Sequence, residues 1–200
     1  MNPFLSMEVQ SNLVLASASP RRREILSSLG FEFEVIPPDV DENEVFWKDP
    51  EKIVTLLAEL KAVDVQSGKP RKTVIGADTI VVCEGTVLGK PGSREETVKM
   101  LQMLSGCSHE VLTGIAVATP PNIRLVEVET TMVQFRELSR SEIEKYADMD
   151  EPRDKAGAYA IQGHASVFVE RIEGCYLNVV GLPVQRLFKM FRKLENVIPR

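Results

Sequence analysis

An aspartate interrupts an apolar run in "VIGADTIVV", where Asp78 stands among Val74, Ile75, Ile80, Val81 and Val82. A carboxylate inside an apolar strand is costly unless it is ion-paired, hydrogen-bonded or metal-bound. Such groups concentrate at functional sites. The small neighbours Gly76 and Ala77 would let a ligand approach the backbone. A buried aspartate that only pins a turn is the competing reading. Asp41 and Glu42, in the acidic stretch "PPDVDENE", could share a hard cation with Asp78, because oxygen ligands suit Mg²⁺ or Mn²⁺. Spacing alone equally allows a solvated acidic loop.

Basic residues form a second group. In "LASASPRRREIL" three arginines follow a Ser-rich turn, in a chain of net charge -5. Ser19 is a suitable N-cap and Pro20 suits a first helical position, so Arg21, Arg22 and Arg23 fall in a first turn. A helix N-terminus offers free N–H groups and partial positive charge, which favours an anion. Arg21 and Arg22 follow the inward side of the helix, four residues before Ile25 and Leu26, whereas Arg23 faces water. The stretch lacks the Gly-rich loop and GK[ST] ending of a P-loop, so an exposed basic turn is the alternative.

The Gly- and Ala-rich stretch "EPRDKAGAYAIQG", residues Glu151 to Gly163, reads as a loop that comes close to something. It carries Lys155, a cation for phosphate, and Gln162, an amide able to read a base edge. Lys61, four residues after Leu57, and Lys90, in "LGKP", are further candidates. Each lysine taken singly also reads as a snorkelling surface residue. His109 and His164 read as structural, since no nucleophile is placed beside either.

These residues need elements to hold them. Leu13 to Ala16 reads as a strand, followed by a helix from Pro20 to about Leu29 that Gly30 stops. Phe31, Phe33 and Val35 alternate with glutamates as a half-exposed strand. Residues 50–65 form an amphipathic helix with Ile53, Leu56, Leu57 and Leu60 on one face. "KTVIGADTIVVCEGTVLGKP" reads as two strands turning at Glu84-Gly85. Capping boxes at Ser93/Glu96 and Ser139/Glu142 open two further helices. Between them, two long strands flank Pro120-Pro121-Asn122 as a hairpin. "SVFVERIEG" is a last strand, and a helix with Val184, Leu187, Phe188, Phe191 and Leu194 on one side closes the chain. Helix crossovers mixed with hairpins predict an α/β protein with a mixed sheet.

Two hundred residues, 44% hydrophobic and 26% charged, suit one globular domain with a real core. An acidic chain without a broad basic surface excludes general binding of polymeric nucleic acid. No apolar run is long enough to span a membrane. Cys83, Cys107 and Cys175 are scattered, with no zinc spacing, so a reducing cytoplasm is the expected compartment. Residues 1–11 match no motif and are candidates for disorder.

Taken together, "LASASPRRREIL", "IGADTIVV", "LGKP", "LSGCSHEVLTG", "EPRDKAGAYAIQG" and "LNVVGLP" resemble the Maf (septum formation protein) family, in order and at family spacing from about Leu13 to Phe188. The resemblance implies a nucleoside triphosphate pyrophosphatase that uses a divalent cation, Mg²⁺ or Mn²⁺. It implies a single Maf-like domain over 1–200, with two lobes around a deep cleft in a long twisted mixed sheet, similar to the inosine triphosphate pyrophosphatases. Asp78 matches the family's proton acceptor, and Glu42 its acidic metal-site residue, with Asp78 a second candidate ligand. Lys61, Lys90 and Lys155 match family lysines, and Ser17 and Ser19 the polar turn that meets phosphate. Arg21, Thr79 and Gln162 match the positions tied to base preference, in the combination of the dTTP/UTP subfamily. Here Asp41-Glu42 replaces the family's Glu-Glu pair. The resemblance also implies a homodimer. A housekeeping hydrolase of modified nucleotides with another base pocket, and a non-catalytic nucleotide-binding regulator of septation, are the competing functions.

Overall fold

The computed structural model describes residues 2–42 and 49–196. The chain divides into two compact units. One comprises Met1–Asp78, Thr113–Glu129 and Gly181–Arg200, the other Thr79–Leu112 and Thr130–Val180. The elements are α1 (Met7–Gln10), β1 (Leu13–Ala16), α2 (Pro20–Ser28), β2 (Phe33–Val35), α3 (Pro50–Gly68), β3 (Thr73–Cys83), β4 (Thr86–Leu88), α4 (Arg94–Leu104), β5 (Ser108–Thr119), β6 (Ile123–Phe135), α5 (Arg140–Ala147), β7 (Val169–Glu173), α6 (Tyr176–Val180) and α7 (Val184–Glu195). Three short 3₁₀ turns lie between α5 and β7.

The predicted mixed sheet is present. Its strand order is β2-β1-β3-β5-β6-β7, with β4 paired to β3. β1 runs parallel to β2 and to β3, whereas the β3–β4 and β6–β7 pairs are antiparallel. The parallel pairs follow from the crossovers through α2 and α3, because a parallel neighbour cannot be reached by a tight turn. β3 meets β4 through Glu84-Gly85, where φ is 50° and 76°. Two residues of positive φ are what a two-residue hairpin of matching twist demands.

The core of the first unit sets α3 against the sheet. Val14, Ala16, Ala58, Ala62, Val65, Val74, Ala116 and Ala118 pack as one buried cluster. The stripe of α3 that is buried is Val54, Leu57, Ala58, Lys61, Ala62 and Val65, not the leucine-rich face expected from the sequence. Leu60 is exposed and Ile53 and Leu56 are only half-buried. Two glycines explain the rotation. A Cβ at Gly76 would lie 2.2 Å from the Ala58 carbonyl oxygen, and one at Gly114 would lie 2.1 Å from that of Val54. The helix backbone therefore rests directly on β3 and β5, with Ala58 and Ala62 at the Gly76 contact and Val54 and Thr55 at the Gly114 contact.

The ends of the first unit are also tied down. Leu5 and Val9 are buried, and the Gln10 side-chain amide donates to the carbonyls of Leu5 at 2.7 Å and Asn2 at 2.9 Å. In α7, Leu187, Met190, Phe191 and Leu194 are buried, and the Phe191 ring centroid is 5.9 Å from that of Phe31. The second unit is organised by aromatic rings. Phe135 makes edge contacts with His109, Tyr159 and Phe168, and Phe168 with Tyr146, at centroid distances of 4.8–6.0 Å. Such tilted pairs suit the ring quadrupoles.

Capping and strand signals also differ in places from the sequence expectation. The Ser19 side chain makes no cap hydrogen bond. Its backbone N–H instead donates to Ser17 Oγ at 3.1 Å. Only half of the Ser93/Glu96 box forms: Ser93 accepts from Glu96 N, but the Glu96 carboxylate takes the Gly92 N–H at 2.6 Å. The Ser139/Glu142 box is complete. "SVFVERIEG" is a strand only from Val169, because His164–Phe168 winds into a 3₁₀ turn.

Candidate active site

Asp78 is the last residue of the first unit, on the same face of β3 as Gly76 and hence on the side against which α3 rests. That close approach brings Lys61 to it. Lys61 Nζ lies 2.6 Å from Asp78 Oδ1 and 2.6 Å from Glu42 Oε1. The Lys61 side chain is 8% exposed and that of Asp78 10%, whereas Glu42 is 44% exposed. One ammonium thus joins a buried carboxylate to one that faces solvent. Charge-assisted bonds of this length offset much of the cost of burying the charges.

Arg22 completes the cluster from below. It reaches in from the first turn of α2 and donates to the carbonyls of Ala77 at 2.8 Å and Gly181 at 2.8 Å. Burial pushes its guanidinium below the usual arginine range, the charge of Asp78 works the other way, and Arg21 adds to the lowering. Arg22 therefore braces the backbone next to Asp78 with a fork of fixed geometry. The sequence marks it as inward-facing, but nothing in its spacing announces that its partners are main-chain carbonyls. Ser17 is buried, with its hydroxyl on the Ser19 N–H and 3.5 Å from Arg22 Nη1. Arg21 is half-buried and Arg23 exposed.

Lys61 and Arg22 balance Asp78 and Glu42 in charge. The same two carboxylates are hard oxygen donors of the kind Mg²⁺ takes when phosphates and water supply its other ligands. Among the described residues no group of three or more His, Cys, Asp or Glu could hold a metal ion.

The second unit holds the remaining candidates. Thr79, directly after Asp78, is half-buried, and Lys90 and Gln162 are exposed. The Lys155 side chain is 14% exposed and ion-paired with Asp154. The loops of Lys90 and Lys155 are joined by the Gly157 N–H, which donates to the Gly89 carbonyl at 3.0 Å. The stretch read as one loop is wound into 3₁₀ turns at Glu151–Asp154 and Ala156–Ala158. Its first residue is the one that sequence reasoning missed. Glu151 accepts from the Tyr146 hydroxyl at 2.8 Å, from His164 N at 3.1 Å and Nδ1 at 3.0 Å, and from Ala165 N at 3.4 Å. Burial alone would raise its carboxyl, but these donors hold it below the ordinary glutamate range. His109 is structural: its Nε2 is 2.9 Å from the Tyr159 hydroxyl, and burial lowers its pKa to about 4. Among the described residues, no helix is long and apolar enough to cross a membrane.

Curated proteins similar to this chain bear one name. The dTTP/UTP pyrophosphatase of Desulforamulus reducens is 50% identical over 181 residues, covering 90% of this chain and 95% of the relative. That of Geotalea uraniireducens is 48% identical over 192 residues, covering 96% and 99%. That of Geobacillus sp. is 48% identical over 182 residues, covering 91% and 97%. Among solved structures, a HAM1 protein from Coxiella burnetii is similar with a TM-score of 0.46 at 19% identity, over 64% of this chain and 74% of that one. The model of the Maf-like protein family matches residues 12–194, within which all the candidate residues fall, and the chain belongs to that family.

Proposed function

We propose that this protein is a nucleoside triphosphate pyrophosphatase that hydrolyses dTTP and UTP to the nucleoside monophosphate and pyrophosphate. The observation that carries the reading is the buried Asp78 held by Lys61, which also bridges to the exposed Glu42. Membership of the Maf family, and relatives about half identical that bear the name dTTP/UTP pyrophosphatase, support it.

In this mechanism a water adds to phosphorus, the anhydride bond between the α- and β-phosphates breaks, and pyrophosphate leaves. Asp78 accepts the proton the water gives up, as a positioned general base. Lys61 fixes the carboxylate and sets positive charge beside the developing anion. Asp78 and Glu42 would hold a divalent cation, Mg²⁺ or Mn²⁺, whose chemistry is to withdraw charge from the phosphoryl oxygens. Ser17, Ser19, Arg21, Lys90 and Lys155 are assigned to the phosphates, and Arg21, Thr79 and Gln162 to base preference. The assignment of the protein to the cytoplasm, and to a homodimer, belongs to the same reading.

The test is product analysis. Protein mixed with dTTP and Mn²⁺ is expected to release pyrophosphate and dTMP in equal amounts. Release of orthophosphate with dTDP, or no turnover, overturns the assignment. Across a nucleotide panel, UTP and dTTP are expected to exceed GTP in kcat/KM; parity would remove the roles of Arg21, Thr79 and Gln162.

A further inference from the structure

Gln162 is exposed, and a solvated glutamine on a loop discriminates poorly unless its backbone is held. The structure holds it from both sides with one pair of side chains. On the N-terminal side, the Ala160 N–H donates to the Tyr146 hydroxyl at 3.1 Å. That hydroxyl in turn donates a hydrogen bond to Glu151 Oε1 at 2.8 Å. On the C-terminal side, Glu151 takes the N–H groups of His164 at 3.1 Å and Ala165 at 3.4 Å, and the His164 ring Nδ1 at 3.0 Å. Tyr146 is 2% exposed and the Glu151 side chain 20%, so water competes little for these bonds. Gly163 completes the fit: a Cβ there would lie 2.1 Å from Glu151 Oε2, so the carboxylate occupies the space a side chain would need.

We infer that Glu151, acting through Tyr146 and the backbone at 160–165, is a positioning residue for Gln162 and thereby sets the preference for the pyrimidine nucleotide. This rests on the proposed role of Gln162 in reading the base. Each of these hydrogen-bond partners of Glu151 is a donor, and the Tyr146 oxygen already accepts from Ala160. Glu151→Gln would set an NH₂ donor against one of those donors while changing volume little.

The experiment measures kcat/KM for UTP and GTP in the wild type, Glu151→Gln, Gly163→Ala, Gln162→Ala and the double variant Glu151→Gln/Gln162→Ala. A merely destabilised enzyme loses active molecules for both substrates alike, so the UTP/GTP ratio reports positioning and not folding. Glu151→Gln is expected to lower that ratio by roughly tenfold or more, mostly through a higher KM for UTP. Gly163→Ala is expected to do the same from the other side of the contact, and it decides the matter if Glu151→Gln is insoluble. The double variant is expected to fall no further than Gln162→Ala alone, because the two residues act in series. A ratio unchanged in Glu151→Gln and Gly163→Ala, while Gln162→Ala lowers it, overturns the inference and leaves the proposed function standing. A wild type without preference for UTP, or a Gln162→Ala ratio like wild type, overturns both the role of Gln162 and this inference.

Discussion

Asp78 in the middle of an apolar strand is tolerable because Lys61 meets it at 2.6 Å, and the two residues separate in what their loss would do. Asp78→Asn leaves Lys61 paired with Glu42, so folding should be retained while turnover falls by about 10²–10⁴, the usual contribution of a general base. Lys61→Met strands a carboxylate whose side chain is only 10% exposed, and should cost about 3–5 kcal/mol of stability as well as activity. Denaturant titration beside initial rates tells the two apart. An Asp78→Asn protein with wild-type turnover would remove the base assignment.

At the scale of elements, the site depends on how closely α3 can approach the sheet. Gly76 and Gly114 are the notches into which its backbone settles, since a Cβ added at either would lie 2.2 or 2.1 Å from a main-chain oxygen of the helix. Alanine at either position must push the helix away, because a carbonyl cannot swing aside as a side-chain tip can. Gly76→Ala and Gly114→Ala should each destabilise by about 1–3 kcal/mol. Gly76→Ala should also lower kcat, since the displaced helix is the one that carries Lys61. Gly68→Ala, at the end of the same helix with nothing within 4 Å of its Cβ, is the control and should leave kcat unchanged without lowering stability. Urea midpoints for the three variants check the order. The same close approach explains why Leu60 and Leu56 do not define the inner face of α3: the backbone of Ala58 and Ala62 lies against Gly76 and that of Val54 against Gly114.

Across the whole molecule, the net charge of -5 opposes a polyanionic substrate, so binding must come from local cations rather than from the long-range field. A non-hydrolysable α,β-methylene analogue of UTP, added with Mg²⁺ at about 100 times its Kd, should stabilise the folded state by about 2.7 kcal/mol. For a chain of this length that is a rise in Tm of roughly 5–10 °C. The corresponding GTP analogue at the same concentration should raise Tm less. Equal shifts for the two would count against pyrimidine preference at the level of binding.

The amino-acid sequence by itself determined the mixed α/β architecture, most element positions and the identity of the family. It did so because periodicity, caps and turn residues act locally, and because ordered motifs such as "IGADTIVV" and "EPRDKAGAYAIQG" carry their meaning in their spacing. Asp78, Lys61 and Glu42 were legible as candidates, but not as one ion-paired cluster. Positions 42, 61 and 78 lie on a loop, a helix and a strand, and only the seating of α3 in two glycine notches brings them together. Arg22 was legible as an inward-facing supporter but not by the groups it holds, and Glu151 was not legible as a support at all. Arg22 holds main-chain carbonyls, Glu151 holds main-chain N–H groups beside the Tyr146 hydroxyl and the His164 ring, and any residue in the chain carries main-chain groups. A side chain that holds main chain leaves no pattern in residue types, so its role was decided by tertiary structure alone.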